Sequence, residues 1–236
     1  MTKQSFSLLE GENQLLVDWS SIKIETTSQY GFICFQKNEF VKIPRSKQRV
    51  TGMLTVFNTI NKAVSNYGKQ TPTEDIGVDE FEFWTARRRP MGHNLALCFK
   101  ESLQRFSARN VTNGIARPTT QTNAWVAALD DKEPFIELEW AERQQISKIE
   151  LSFDTDFDHP MESVLMTHPE NVMPFCVREY QIFDDNESLV YEKKDNYQTR
   201  NSIRFENPIN TQKLRIKLVH PDENIPASLF EIRCYQ

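Results

Sequence analysis

The sequence predicts an all-β protein built from two β-sandwiches, on the strength of three observations. Several segments alternate apolar and polar residues with a period of two, which is typical of a strand in a sheet with one wet face. No window of about 12 residues shows the 3.6-residue period of an amphipathic helix. The chain has 236 residues, enough for two sandwiches that each bury a core.

The clearest alternation lies in the second half of the chain. Apolar residues alternate in Phe135–Trp140, at Ile136, Leu138 and Trp140, and in Ile146–Phe153, at Ile149, Leu151 and Phe153. The segments Lys213–Leu218 and Phe230–Tyr235 repeat the pattern, and Arg178–Phe183 is a further candidate strand. This half is therefore expected to form a sheet with one face on a core.

The first hundred residues contain a second set of candidate strands. They are Ser21–Glu25, Gly31–Phe35, Glu39–Ile43, Val50–Asn58, Glu80–Trp84 and Asn94–Lys100. The polar stretch Asn61–Gly77 has no periodicity and predicts a long loop. A second polar stretch, Glu101–Asn110, places a boundary near residue 105, which gives domains of residues 1–105 and 106–236.

Charge and glycine spacing exclude several functions. The net charge of −5 gives no footprint for nucleic acid or anionic lipid, and apolar runs such as Leu95–Phe99 are far shorter than a membrane span. The seven glycines are never closer than nine positions, whereas dinucleotide-binding turns and P-loops need clustered glycines. We expect no cofactor, no nucleic-acid partner and no membrane span.

The first 17 residues include Glu10 and Glu12 and have no apolar core, so they do not resemble a secretory signal. The expectation is a cytoplasmic protein if the chain is complete. A periplasmic or extracellular location stays open if it is a fragment, so the compartment is unknown.

Catalytic motifs are sparse. The four cysteines, at positions 34, 98, 176 and 234, lie singly beside apolar or aromatic residues and are interpreted as buried thiols. There is no Gly-x-Ser-x-Gly elbow and no His-Glu-x-x-His motif. The sequence therefore predicts a protein that is not an enzyme. Paired carboxylates such as Asp156 and Glu162 leave a glycoside hydrolase as an alternative.

From residue 110 onward, five motifs follow one another in a recognisable order. They are Asn110–Gly114, Asn123-Ala124-Trp125, Pro134–Trp140, Gln145–Leu151 and Ala227–Ile232. This order resembles the discoidin-like (coagulation-factor type C, galactose-binding-like) family over roughly residues 107–236. The resemblance implies that the second sandwich is a jelly roll.

A narrower resemblance covers both halves of the chain. The runs Arg49–Met53, Phe81–Trp84, Gly92–Leu97 and Asp154–Ser163 resemble the C-terminal region of bacterial FAD-dependent oxidoreductases. In that family a flavin domain precedes the β-sandwich regions, and this chain contains no flavin domain. The resemblance implies a possible partner, a flavin-binding domain in a longer parent protein.

The discoidin-like resemblance implies a binding face made by loops at one end of the sandwich. The matching stretches are Arg117–Trp125, an insertion over residues 154–175 and Asp195–Asn201. Sugar recognition needs an aromatic platform and planar hydrogen-bonding groups. The candidates in the first and third stretches are Arg117, Asn123, Tyr197, Arg200 and Asn201. Trp125 is interpreted as a core residue beneath these loops.

The insertion carries the densest set of polar side chains. Asp154, Asp156 and Asp158 alternate along the chain and are followed by His159 and Glu162. Such groups can accept hydrogen bonds from sugar hydroxyls or bind a hard cation. The glycine and the twelfth-position glutamate of a calcium loop are missing. We therefore assign Asp156, Asp158, His159 and Glu162 to ligand binding and predict no metal.

Arg87, Arg88 and Arg89 form a short basic cluster before Pro90. It is interpreted as a solvated turn or an intramolecular clasp on acidic residues, with a docking patch for an absent domain as the functional alternative. The leading hypothesis is a non-catalytic carbohydrate-binding module. The rival is a structural and docking part of an FAD-dependent oxidoreductase with no ligand of its own.

Overall fold

A computed structural model of the chain describes residues 4–18, 39–52, 54–62, 80–89, 94–96, 105–118, 123–155 and 173–236. In this part of the chain the only helix is a short 3-10 helix, η1 (Ala108–Thr112). The strands are β1 (Arg45–Ser46), β2 (Leu54–Lys62), β3 (Glu80–Arg88), β4 (Asn94–Leu95), β5 (Trp125–Val126), β6 (Phe135–Ser152), β7 (Tyr180–Phe183), β8 (Leu189–Lys193), β9 (Arg200–Leu218), β10 (Ser228–Leu229) and β11 (Glu231–Tyr235). The predicted all-β class is confirmed.

The first half of the chain contributes two strand pairs. Strands β2 and β3 pair antiparallel from Leu54 with Arg88 to Lys62 with Glu80, and β1 pairs with β4. The predicted strand Glu39–Ile43 is wrong. Phe40 is 94% exposed, so the alternation there does not mark a buried face. The predicted strands Ser21–Glu25 and Gly31–Phe35, and most of the predicted loop Asn61–Gly77, lie outside the described residues.

Five strands of the second half form one antiparallel sheet in the order β11-β6-β9-β7-β8. The two predicted strands Phe135–Trp140 and Ile146–Phe153 join into the single strand β6, which pairs with β9. The pairing is interrupted twice, between Glu139 and Gln144 and again between Ile146 and Lys148. The first interruption adds unpaired residues to β6 and the second adds unpaired residues to β9. The same pairing register therefore holds on either side of the irregular stretch.

The core lies between this sheet and the short pair of β5 and β10. Ile149 and Leu151 of β6 and Ile216 of β9 are fully buried, in one cluster with Leu229 of β10. A single core enclosed by two sheets is a β-sandwich. Trp125 packs against the same core, in agreement with the core interpretation.

The chain divides into two compact units, Met1–Lys42 and Ile43–Gln236. In the first, Gln4 and Asp18 hydrogen bond to each other, and the Asn13 carboxamide closes a turn at Gly11, whose φ is +100°. The predicted boundary near residue 105 falls inside the second unit. There the Arg49 amide donates to the Asn224 carbonyl at 2.9 Å. The division into residues 1–105 and 106–236 stays a prediction.

Candidate functional site

The pairing of β6 with β9 brings two loops together at one end of these two strands. Because Ser152 pairs with Arg200, the chain leaving β6 and the chain entering β9 are neighbours. The Phe153 amide donates to the Thr199 carbonyl at 2.7 Å, and the Thr155 and Thr199 hydroxyls lie 2.6 Å apart. We call residues 153–155, 175–178 and 195–199 the loop end.

A buried asparagine fixes the loop end. Asn196 is fully buried, and its Nδ2 donates to the Val177 carbonyl at 2.9 Å. Its Oδ1 accepts from the Gln198 amide at 3.0 Å and from Asn201 Nδ2 at 2.8 Å. These bonds tie segment 195–199 to segment 175–178 and to the first residues of β9. A loop fixed in this way presents its exposed side chains in one arrangement.

Tyr197 is the exposed aromatic residue of the loop end. Its side chain follows the anchored Asn196 and is 54% exposed. The guanidinium of Arg178 lies 5.1 Å from the centre of its ring, close enough for a cation–π interaction. Tyr197 is exposed, as an aromatic platform must be, and its assignment to ligand binding stays a prediction.

The neighbouring residues Arg200 and Asn201 point in opposite directions. Both lie in β9, and successive side chains of a strand alternate between the faces of a sheet. Asn201 faces the core, where the Tyr180 hydroxyl donates to its Oδ1 at 3.1 Å. Arg200 lies on the outer face and bonds to the Glu150 carboxylate. Asn201 is thus engaged in the core and Arg200 lies on the outer face, and the assignment of these two residues to ligand binding stays a prediction.

Asn123 also turns inward rather than toward a ligand. Asn113 Nδ2 donates to Asn123 Oδ1 at 2.6 Å, and Asn123 Nδ2 donates to the Asn110 carbonyl at 3.3 Å. Nearby, Asn110 Nδ2 donates to the Ala124 carbonyl at 2.7 Å. These carboxamides hold the loop between η1 and β5 in place of regular backbone pairing. Arg117 is exposed on this loop, as a ligand-binding residue would need to be.

The docking interpretation is wrong for Arg89, which is 1% exposed. Its guanidinium forms two contacts with the Asp154 carboxylate, at 2.7 and 3.0 Å, and lies 4.2 Å from the centre of the Phe175 ring. The backbone of Arg89 has a φ of 45°, so the chain turns sharply after β3 and directs this side chain inward. This ion pair is an intramolecular clasp on an acidic residue, one of the interpretations of the basic cluster. The side chains of Arg87 and Arg88 lie outside what the structure describes, and their docking role stays a prediction.

The described thiols are not reactive. Burial raises the pKa of Cys176 to about 12, with a further contribution from the Asp154 carboxylate, and burial raises the pKa of Cys234 to about 12. Both are free thiols; Cys176 is buried, as predicted, whereas Cys234 is half-buried, and Cys34 and Cys98 lie outside the described residues. Among the described residues, no three histidine, cysteine or carboxylate side chains are grouped as metal ligands. Asp156, Asp158, His159 and Glu162 lie outside that part, and their assignment stays a prediction.

A groove of about 310 Å³ lies next to the loop end, and its lining includes Glu179, which follows segment 175–178, and Lys194, which precedes segment 195–199. Its charged lining carries both signs, and several of its groups are already paired. Gln181 Nε2 donates to Glu192 at 2.7 Å, and Lys194 lies 3.1 Å from the same carboxylate. These two donors lower the pKa of Glu192. Glu192 is therefore already engaged by neighbouring donors in this groove.

Sequence reasoning missed Asn196, Arg178, Asp154 and Phe175 as determinants of the loop end. The first two lie in or beside segments that were assigned to the binding face, but nothing in the local sequence separates a buried asparagine from an exposed one. Asp154 and Phe175 act through Arg89, which is 65 residues from Asp154 along the chain. Pairing at that separation leaves no local pattern.

Comparison with solved structures finds similar carbohydrate-binding modules. The family 32 carbohydrate-binding module of Streptococcus pneumoniae EndoD is 15% identical, with a TM-score of 0.44, over 58% of this chain and 90% of that one. A fucose-binding module of Streptococcus pneumoniae is 17% identical, with a TM-score of 0.41, over 58% and 90%. The family 32 module of Clostridium perfringens NanJ, in complex with galactose, is 18% identical, with a TM-score of 0.39, over 55% and 84%.

Neither a protein-family model nor a curated protein matches the sequence. The three structures named above provide no link to FAD-dependent oxidoreductases. That relationship rests on the sequence resemblance alone. Among the described residues, no helix has the length and apolar character needed to cross a membrane.

Proposed function

We propose that this chain is a non-catalytic carbohydrate-binding module whose loop end holds the ligand. The observation that carries the proposal is Tyr197, an exposed aromatic ring on a segment fixed by the buried Asn196. The apolar C–H face of a sugar packs on an aromatic ring, and a prearranged ring loses little conformational freedom on binding. A tyrosine in this setting is suited to sugar recognition.

Polar groups also lie at the loop end. Arg178 lies beside the ring, the Thr199 hydroxyl lies on the same segment as Tyr197, and the Thr155 hydroxyl lies on a neighbouring segment. A guanidinium donates several hydrogen bonds in a plane, and a hydroxyl can both donate and accept. The loop end can therefore hold a ligand through one apolar face and several hydroxyl contacts.

Two described carboxylates, on Glu150 and Asp154, are engaged by cations in the fold. A general acid needs a pKa near the working pH. The carboxyl pKa of Glu150 is instead lowered to about 2 by hydrogen bonds from Arg200, Lys148 and Tyr235. Asp154 is held in its ion pair with Arg89. In the described part of the chain these carboxylates stabilise cations rather than supply protons.

Isothermal titration calorimetry with galactose- and fucose-terminated glycans tests the proposal. Tyr197→Ala removes the ring and is expected to weaken binding about tenfold, since an aromatic platform contributes roughly 1–1.5 kcal/mol. Tyr197→Phe keeps the ring and should bind within about twofold of the unmodified chain. Phe135→Ala, which removes another exposed ring away from the loop end, is the matched control. Equal losses for Tyr197→Ala and Phe135→Ala would contradict the assignment.

A further inference from the structure

The outer face of the sheet carries an ordered array of charged side chains. Strand β6 lies between β11 and β9, and the pairing register aligns three residues from each. The three rows are Glu231, Ser152 and Arg200; Arg233, Glu150 and Ser202; and Tyr235, Lys148 and Arg204. We call these nine residues the outer-face grid. Neighbouring strands are about 4.8 Å apart and alternate residues about 6.8 Å apart, so the grid spans roughly 10 by 14 Å.

The grid is basic although the whole chain is acidic. It holds four cationic side chains against two carboxylates, in a protein with a net charge of −5. The two carboxylates, on Glu150 and Glu231, are buried. Three of the cations, on Arg200, Arg204 and Arg233, are exposed, with 61% of the Arg200 side chain and 42% of the Arg233 side chain accessible. Positive charge therefore faces the solvent and negative charge lies beneath it.

The buried carboxylates hold the cations in place. Glu150 accepts hydrogen bonds from Arg200, from Lys148 at 3.0 Å and from the Tyr235 hydroxyl at 3.1 Å. Glu231 accepts from Arg233 Nε at 2.9 Å. Cations fixed in this way lose little side-chain entropy when they meet an anion. Arg204 is exposed, and no ion pair involves it among the described residues.

We propose that the outer-face grid binds a polysaccharide that carries carboxylate groups. Guanidinium groups match carboxylates in geometry, and the Ser202 hydroxyl between them can bond to sugar hydroxyls. Lys148 lies 4.0 Å from the centre of the Tyr235 ring, so the aromatic ring of the grid already has a cation partner. The other eight side chains are polar or charged, so the grid has no apolar patch for a lipid. The grid uses neither Tyr197 nor Arg178, so it is a second site beyond the proposed function.

The other end of the same outer face provides an internal control. There Lys213 and Arg215 face Glu137 and Glu187 in a network of two cations and two carboxylates. The same kind of side chain is thus neutralised at one end of the face and in excess at the other. Arg215→Gln and Arg204→Gln remove the same charge from the same face in these two settings.

The test measures binding of the full chain to polygalacturonate and to its fully methyl-esterified form by affinity electrophoresis. We expect retardation by the charged polymer only, an apparent Kd about fivefold weaker for Arg204→Gln, and a change below about twofold for Arg215→Gln and for Tyr197→Ala. The circular dichroism melting curve of each variant verifies its folding.

Several outcomes would overturn the inference. They are no retardation by polygalacturonate, equal retardation by the esterified polymer, and equal losses for the two arginine variants. Tighter binding to duplex DNA would assign the grid to a different partner. Loss of binding in Tyr197→Ala would show that the grid is not a separate site. Failure of the neutral glycans at the loop end leaves these results unchanged, so the two proposals are tested independently.

Discussion

The pairs Arg89–Asp154 and Arg200–Glu150 join the same chemical groups in two environments. In the first, both side chains are almost fully buried and the guanidinium lies against the Phe175 ring. In the second, the carboxylate is buried but 61% of the arginine side chain is exposed. The buried arginine has every donor directed into the protein, whereas the exposed one keeps donors for a partner. Burial therefore separates an arginine that stabilises the fold from one that can bind a ligand.

The largest effect is expected when one member of the buried pair is removed. Arg89→Met leaves the Asp154 carboxylate buried without its partner and should lower the free energy of unfolding by about 3–5 kcal/mol. Arg200→Met breaks the exposed pair and should cost about 1 kcal/mol or less. Urea unfolding followed by tryptophan fluorescence measures both values.

The double variant Arg89→Met with Asp154→Leu sharpens this comparison. Replacing both charges with apolar groups removes the uncompensated carboxylate, so part of the lost stability should return. Similar losses for Arg89→Met and Arg200→Met would show that burial does not distinguish the two pairs.

An intermediate effect is expected for the neutral buried network. Asn196→Ala removes the amide donor to the Val177 carbonyl and the acceptor of Asn201 Nδ2, and should cost about 2–3 kcal/mol. The matched control is Asn186→Ala in an exposed turn, which should change stability by less than about 0.5 kcal/mol. Chemical denaturation measures the free energy of unfolding of both variants. Equal losses would show that Asn196 does not anchor the loop end.

The smallest effect concerns the exposed pair and depends on pH. The carboxyl pKa of Glu150 falls from 4.5 to about 2 in the folded protein, so the folded state favours the ionised form. Its contribution is complete above about pH 4.5 and is lost as the pH falls toward 2. Glu150→Gln should therefore lower stability by about 1 kcal/mol at pH 6 and by much less at pH 2.5. A difference between the two proteins that does not change with pH would contradict this assignment.

The alternation of apolar and polar residues predicts the second sheet well and fails where packing decides. It identifies Lys213–Leu218 and the two halves of β6, because one face of each is buried against the core. It does not identify the irregular middle of β6, where the pairing shifts between Glu139 and Gln144. Alternation also treats Glu150 and Ser152 as solvent-exposed, whereas both are buried on the outer face.

The candidate site was less predictable than the fold. Tyr197 and Arg117 were recognisable as exposed residues in loop-forming sequence, and the structure keeps both at the surface. The inward direction of the Asn201 side chain is not predictable from the sequence, because it depends on the residue at which β9 begins. Arg89 depends on Asp154, far away in the chain, and on a left-handed backbone turn that no sequence pattern marks.

The paired irregularities of β6 and β9 give this sheet a place where its length can change. The residues between Glu139 and Gln144 are not in register with β9, so deleting one of them can leave the pairings on either side unchanged. Deleting one residue between Lys148 and Ser152 instead shifts a regular ladder, which turns Ile149 or Leu151 toward the solvent. A peptide tag inserted between the exposed residues Ala141 and Glu142 would therefore leave the pairings on either side and both proposed binding faces in place.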